Sequence, residues 1–253
     1  MEENENNQMS LTEHLIELKK RLTRSLIAVG IGFGFCYYFK DWIFTIVTKP
    51  LTQVLPKSSY LIYTGLTQAF FTYMKLAFFA SLIMVSPFIL YQLWKFIAPA
   101  LHSHEKKMVV PFVFFSSLLF ISGVLFGYFV ALPPAFEFFV SFNSQYLRAM
   151  ISFNDYLSLF VTFLLGFGVS FELPVIIFFL AKLGIVNAKM LSKQRRYAIL
   201  AIFVVAAVLT PSPDALSQLL MAIPLMFLYE VSIWVAKFVE KKKTSAESSS
   251  DHE

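Results

Sequence analysis

One carboxylate stands inside a long apolar stretch of this 253-residue chain. Glu172 lies within the string GFGVSFELP, residues 166–174. If this stretch crosses a membrane, the carboxylate must face a bundle interior or a wet cavity, because a charge in lipid is costly. There it serves either as a functional group or as a structural hydrogen-bond anchor. The residues alone leave both interpretations open.

Two further acidic residues lie beside basic ones. Glu17 precedes Arg21 by four residues, the spacing of an ion pair on a helix. Glu105 follows His102 and His104 in a polar loop. A surface salt bridge and a hydrated turn are the ordinary interpretations. A His-x-His pair without a further histidine or cysteine nearby is a weak ligand set, so we predict no metal site.

Catalytic signatures are missing from the sequence. It has no HExxH string, no glycine-rich phosphate loop and no recognisable serine–histidine–aspartate signature of a hydrolase. We therefore expect a protein that is not an enzyme and that carries no cofactor.

The composition indicates an integral membrane protein. Apolar side chains make up 57% of the residues and charged ones 15%, against about 25% charged in soluble domains. Thirty phenylalanines exclude a disordered chain, which would be poor in aromatics. The single Cys36 excludes a disulfide scaffold. A soluble core of this size is too small to bury so much apolar surface.

Six apolar runs are candidates for membrane-spanning helices, which need about 20 residues each. Backbone groups in lipid must be satisfied within the segment, so the predicted fold is all-α. Pro87 and Pro174 should bend the second and fourth spans, which favours a bent, concave bundle. The predicted spans are residues 22–42, 69–97, 109–132, 155–181, 196–210 and 215–236.

Basic residues predict the orientation. Sixteen of the 21 Lys and Arg residues lie in four segments or at the span ends that adjoin them: before span one, between spans two and three, between spans four and five, and after span six. Cytoplasmic loops are enriched in these residues, so both termini should be cytoplasmic. The net charge of +5 thus reflects topology rather than nucleic-acid binding. We expect one domain over residues 10–240, with disordered ends at residues 1–9 and 241–253.

Local patterns add four expectations. Leucines 11, 15, 18 and 22 share a helical face, which predicts a short amphipathic helix before span one. Residues 133–154 begin with two prolines and continue as an aromatic, helix-like stretch on the outer side. The Gly30/Gly34 and Gly123/Gly127 pairs permit close helix contact. The fifth span, counted from Tyr197 to Leu209, is about 20 Å long, so it should thin the bilayer, admit water or be sheltered.

Four strings, in this order, resemble the TatC family, the six-span subunit of the twin-arginine protein translocase. They are HLIELKKRL (residues 14–22), FIAPAL (96–101) with His104 and Glu105 after it, FGVSFELP (167–174), and LTP (209–211) before Asp214. The resemblance covers about residues 10–240.

The resemblance implies a receptor for signal peptides that carry paired arginines, on folded cargo exported with the proton gradient. It assigns recognition of the two arginines to Glu17 and Glu105, and it places Lys19 and Phe96 in the same signal-peptide site. A carboxylate suits this role, because guanidinium binds it through two parallel hydrogen bonds that lysine cannot make.

The resemblance also implies partners and a location. The partners are the single-span subunits TatA and TatB, in an oligomer of the bacterial cytoplasmic membrane. Pro50, Pro87, Glu172 and Asp214 match positions on which the family depends for structure or partner contact.

Two departures and two alternatives remain. Lys19 stands where the family usually has arginine, and Ser212-Pro213 alters the turn before Asp214. The main alternative is a proton-coupled secondary transporter of a small solute with Glu172 as its proton relay, although the sequence shows no internal repeat. A membrane enzyme is the third interpretation.

Overall fold

The computed structural model describes residues 11–55, 61–97, 109–142, 150–209 and 215–250, and within these ranges the chain is helical without a strand. The one β feature there is an isolated parallel bridge between Ile62 and Ser152. The helices are α1 (Leu11–Tyr38), α2 (Lys40–Val54), α3 (Gln68–Ile97), α4 (Val109–Phe126), a π-helical turn (Gly127–Ala131), α5 (Leu132–Ser141), α6 (Phe153–Ser170), α7 (Leu173–Lys182), α8 (Ala188–Lys193), α9 (Arg195–Leu209) and α10 (Ala215–Ser250).

Several helices are long and apolar enough to cross a membrane. Within the described ranges these number four, or five when α1 and α2 are counted together as one broken span. The four are Gln68–Ile97, Val110–Ser141, Phe153–Lys182 and Ser217–Lys241. The predicted all-α fold with several spans is therefore confirmed. With 15 residues, α9 is about 22 Å long, which is short for a span, as the sequence predicted.

The N-terminal and C-terminal helices differ from the predicted elements. The segment expected to be a separate amphipathic helix is the first part of α1, which continues to Tyr38. Neither proline nor glycine occurs before Gly30 to interrupt it. Helix α10 extends to Ser250, beyond the predicted end of the sixth span at residue 236, because no proline or glycine follows Pro224 there. The predicted disordered N-terminus lies outside the described residues.

The chain divides into two compact units. The first comprises residues 1–43 and 73–117. In it α1 packs closely on α3 at Gly32, where an added Cβ would lie 2.6 Å from Ser81 Oγ and 2.8 Å from Val85 Cγ2. The Ser81 hydroxyl donates to the Val29 carbonyl across the same contact, at 2.8 Å. The close contact that Gly30 and Gly34 permit is not made within the described residues, since no atom of another described element lies within 4 Å of a Cβ built on either.

The second unit comprises residues 44–72 and 118–253. Gly123 lets α4 approach α6, because a Cβ there would lie 2.5 Å from the Phe167 carbonyl oxygen, and Gly127 also packs on Phe167. This pair therefore makes the close contact that the sequence predicted. Helices α7, α8 and α10 share an apolar core made of Ile177, Ala181, Ala188, Leu191, Ile233 and Ala236.

Candidate functional site

Helices α1 and α3 of the first unit bring a carboxylate, a guanidinium and an amide together. Arg21 Nε donates to Glu17 Oε1 at 3.1 Å, and Arg21 Nη2 donates to the same oxygen. Arg21 Nη1 donates to Gln92 Oε1 at 3.4 Å. The ion pair expected from the four-residue spacing is present, and Gln92 joins it from a distant part of the sequence.

The Glu17 carboxylate is engaged on one side only. Both Arg21 contacts fall on Oε1, whereas Oε2 is buried and accepts no hydrogen bond from the residues that the structure describes. A buried acceptor without a donor costs about 1–3 kcal/mol, and a carboxylate oxygen has two lone-pair positions. The site can therefore accept an additional N–H donor.

Phe96 and His14 form a stacked aromatic pair between α3 and α1. Their rings stack with centroids 4.3 Å apart and an interplanar angle of 21°. His14 precedes Glu17 by one helical turn on α1, and Phe96 follows Gln92 by one turn on α3. We call these five residues, His14, Glu17, Arg21, Gln92 and Phe96, the Glu17 site.

Lys19, another predicted signal-peptide residue, is not part of this cluster. Lys19 is exposed and lies on the opposite side of α1 from Glu17, since two residues correspond to about 200° of helix rotation. Its carbonyl accepts a hydrogen bond from Thr23 Oγ1 at 2.8 Å. Glu105 and Asp214 lie outside the described residues.

Sequence reasoning missed His14 and Gln92 as site residues. Gln92 is the one amide in the apolar run 76–94, and that position was the available signal in the sequence. In the structure it is 5% exposed, so its amide needs a polar partner. His14 had a weaker signal, its place one turn before Glu17.

Pro50 lies buried inside α2, in the second unit. Proline has no N–H, so the carbonyl of Ile46, four residues earlier, loses its helical partner. Tyr128 Oη donates to this carbonyl at 2.8 Å from the π-helical turn. The hydroxyl of Tyr156 donates to the next carbonyl, that of Val47. Pro50 thus frees a carbonyl acceptor, and the hydrogen bond from Tyr128 to this carbonyl links α2 to the π-helical turn.

Pro87 lies inside α3 and does not end it. Its missing N–H frees the carbonyl of Ile83, and the hydroxyl of Ser86 donates to that oxygen at 2.7 Å. The helix continues to Ile97 because a neighbouring side chain satisfies the freed group.

Glu172 lies where the fourth predicted span is interrupted. Helix α6 ends at Ser170 and α7 begins at Leu173, with Pro174 in its first turn. The expected disturbance near Pro174 is thus a break at Phe171 and Glu172. Glu172 is 7% exposed and occupies the N-cap position of α7. As the N-cap residue it lies at the positive end of the α7 dipole, but its side chain makes no capping hydrogen bond to α7.

No cluster of three or more His, Cys, Asp or Glu residues suited to a metal occurs in the part of the chain that the structure describes. The arrangement at the Glu17 site offers hydrogen-bond acceptance and charge rather than bond-making chemistry.

Fold and site together define an α-helical, multi-pass membrane protein with a half-buried carboxylate paired to an arginine. Residues 13–224 match the family model described as TatC, Sec-independent protein translocase protein. The chain belongs to the TatC family.

Proteins similar in sequence align with this chain over nearly its whole length. The Sec-independent protein translocase protein TatC of Desulforapulum autotrophicum is 46% identical over 236 residues, 93% of this chain and 87% of that protein. The TatC of Escherichia coli K12 is 43% identical, over 94% of this chain and 92% of that one. A crystal structure of the twin-arginine translocase receptor TatC superposes with a TM-score of 0.80 at 39% identity, covering 90% of this chain and all of that one.

The family match confirms the resemblance stated from the sequence. TatC is a translocase component, a family of transport proteins rather than of catalytic enzymes. The match does not favour a small-solute transporter.

Proposed function

We propose that this chain is the receptor and core subunit of the twin-arginine translocase. It binds Arg-Arg signal peptides and exports folded proteins across the bacterial cytoplasmic membrane with the proton gradient. The observation that carries this proposal is the carboxylate of Glu17, which binds Arg21 through Oε1 only. Its buried Oε2 accepts no hydrogen bond from the described residues.

The chemistry of guanidinium explains why paired arginines suit this site. Guanidinium is planar, carries its donors in a fixed fork and is more weakly hydrated than ammonium. A half-buried carboxylate therefore takes guanidinium at lower desolvation cost than it takes the compact ammonium of lysine. The ring of Phe96 adds an apolar face beside the acceptor. Glu105 is the proposed second carboxylate, so that each arginine of the motif has its own partner.

Family membership supports the proposed assembly. The partners are the single-span subunits TatA and TatB, and the complex is an oligomer in the membrane. Glu172, at the break between α6 and α7, and Asp214 belong to the part of the chain that contacts these partners. Pro50 and Pro87 support the structure of the protein. Lys19 supports signal-peptide binding through its charge, from the exposed side of α1.

The membrane arrangement is six spans with both termini cytoplasmic. Four spans are long helices, α1 with α2 supplies a fifth, and the short α9 supplies the sixth. Because α9 is shorter than the hydrocarbon thickness, this edge of the protein thins the bilayer locally during translocation.

Binding of labelled signal peptides to the purified full chain in lipid nanodiscs tests the proposal. We expect Glu17→Gln and Glu105→Gln each to weaken binding of an Arg-Arg peptide about tenfold or more, because each removes a charge-assisted hydrogen bond of about 1.5–3 kcal/mol. The double variant should lose binding. Glu13→Gln is the matched control, since Glu13 is an exposed acid on the same helix.

Two results would contradict this proposal. A Lys-Lys peptide that binds the wild type as tightly as the Arg-Arg peptide removes the role of guanidinium. Unchanged binding to the double variant removes the role of both carboxylates.

A further inference from the structure

The Glu17 site already contains a guanidinium, the group that the proposed cargo would bring. Arg21 is 9% exposed, so its charge has little access to water. An arginine facing a carboxylate usually places one donor on each oxygen. Here both donors fall on Oε1 of Glu17, and the pair occupies only half of the acceptor.

Gln92 gives the same guanidinium a second partner. Its Oε1 accepts from Arg21 Nη1 at 3.4 Å, and the amide is buried on α3. In the described part of the chain, the hydrogen bonds of the Arg21 side chain go to Glu17 and Gln92. The amide oxygen is neutral, so it binds Arg21 more weakly than the carboxylate does, and it remains available if Arg21 leaves Glu17.

We propose that Arg21 is an internal competitor for Glu17, and that its guanidinium turns towards Gln92 when a signal-peptide arginine binds the carboxylate. This inference rests on the proposed function, because it concerns the regulation of the same site. The apparent affinity for cargo is then the intrinsic affinity reduced by the fraction of molecules in which Arg21 has left Glu17. Arg21 therefore keeps weakly binding cations off the receptor.

The competition predicts that two substitutions tighten peptide binding and that a third weakens it. Arg21→Gln removes the competitor and should tighten binding of an Arg-Arg peptide roughly two- to fivefold, the range that corresponds to the loss of one solvent-accessible ion pair. Gln92→Glu offers Arg21 another carboxylate and should also tighten binding. Gln92→Leu removes the alternative partner and should weaken binding by a similar factor.

Equilibrium binding to the full chain in nanodiscs, with fluorescent Arg-Arg and Lys-Lys peptides, measures these effects. Arg21→Gln should change both affinities by the same factor, because the competitor is the same for both peptides. Arg24→Gln is the matched control, since Arg24 is exposed and lies nearly two turns beyond Glu17 on α1. We expect this control to change binding less than twofold.

The outcomes separate this inference from the proposed function. Weaker binding by Arg21→Gln would mean that Arg21 orients Glu17 rather than competing for it, and equal tightening by Arg24→Gln would mean a general charge effect. Either result overturns the competition. If the wild type binds no Arg-Arg peptide, or if Glu17→Gln binds it unchanged, the proposed function itself fails. If Arg21→Gln does not fold, Gln92→Leu still tests the competition, because it should weaken peptide binding and unchanged or tighter binding would overturn the inference.

Discussion

At Gly32 a single missing methyl group decides how closely α1 and α3 approach. Gly30 and Gly34 lie less than one turn away on the same helix, yet a Cβ on either would meet no other described element within 4 Å. The small-residue spacing in the sequence therefore identified the right helix and the wrong residues. The contact falls where Ser81 donates across the interface to Val29.

Gly32→Ala should destabilise the protein by about 1–3 kcal/mol, the usual cost of overpacking. The new methyl meets Val85, whose β-branched side chain has few other rotamers. Thermal unfolding in detergent measures the effect as a lowered Tm. Gly30→Ala is the control, and its Tm should not fall, because alanine has open space there and favours helix. Equal Tm values for the two variants would contradict this account.

At the level of elements, each proline leaves a backbone carbonyl without its helical N–H donor, and a side chain donates to that carbonyl instead. Pro50 frees the Ile46 carbonyl, and Tyr128 fills it. Pro87 frees the Ile83 carbonyl, and Ser86 fills it from within α3. The first arrangement joins two elements, whereas the second only repairs one helix. A proline position therefore has different consequences depending on where the replacement donor comes from.

A double-mutant cycle tests the Pro50 arrangement. Tyr128→Phe should cost about 0.5–1.5 kcal/mol in the wild type, because the Ile46 carbonyl loses its donor. In a Pro50→Ala background the residue at position 50 supplies its own N–H, so the same change should cost clearly less. Chemical denaturation of the purified protein gives the four free energies. Additive effects would show that the hydroxyl and the proline are not coupled.

Part of this arrangement is readable from the sequence, and part is not. Most helix positions, the shortness of α9 and the Glu17–Arg21 pair follow from local spacing, and the structure contains all three. The contacts of Gln92 with Arg21 and of Tyr128 with Ile46 join residues 71 and 82 positions apart. Periodicity carries no information about such separations. The continuous α1 was also missed, because a change from amphipathic to apolar pattern does not by itself end a helix.

At the scale of the whole molecule, the basic residues predict that both termini lie on the cytoplasmic side, which requires an even number of spans. Single cysteines placed at residues 5, 212 and 249 in a Cys36→Ala background test this with a membrane-impermeant maleimide. We expect labelling of residues 5 and 249 only from the cytoplasmic side, and labelling of residue 212 only from the outer side. The chain with Cys36→Ala and no added cysteine is the control and should remain unlabelled. Labelling of residues 5 and 249 from opposite sides would mean an odd number of spans.

The π-helical turn at Gly127–Ala131 has a consequence for how this family's sequences can vary in length. A turn of this kind accommodates one residue more than an α-helical turn does. A deletion at Val130, which is exposed, would convert it to regular helix while leaving the residues before and after it facing their present neighbours. The same deletion within α4 would rotate everything beyond it by about 100°. Natural gaps in this region should therefore concentrate in these five residues.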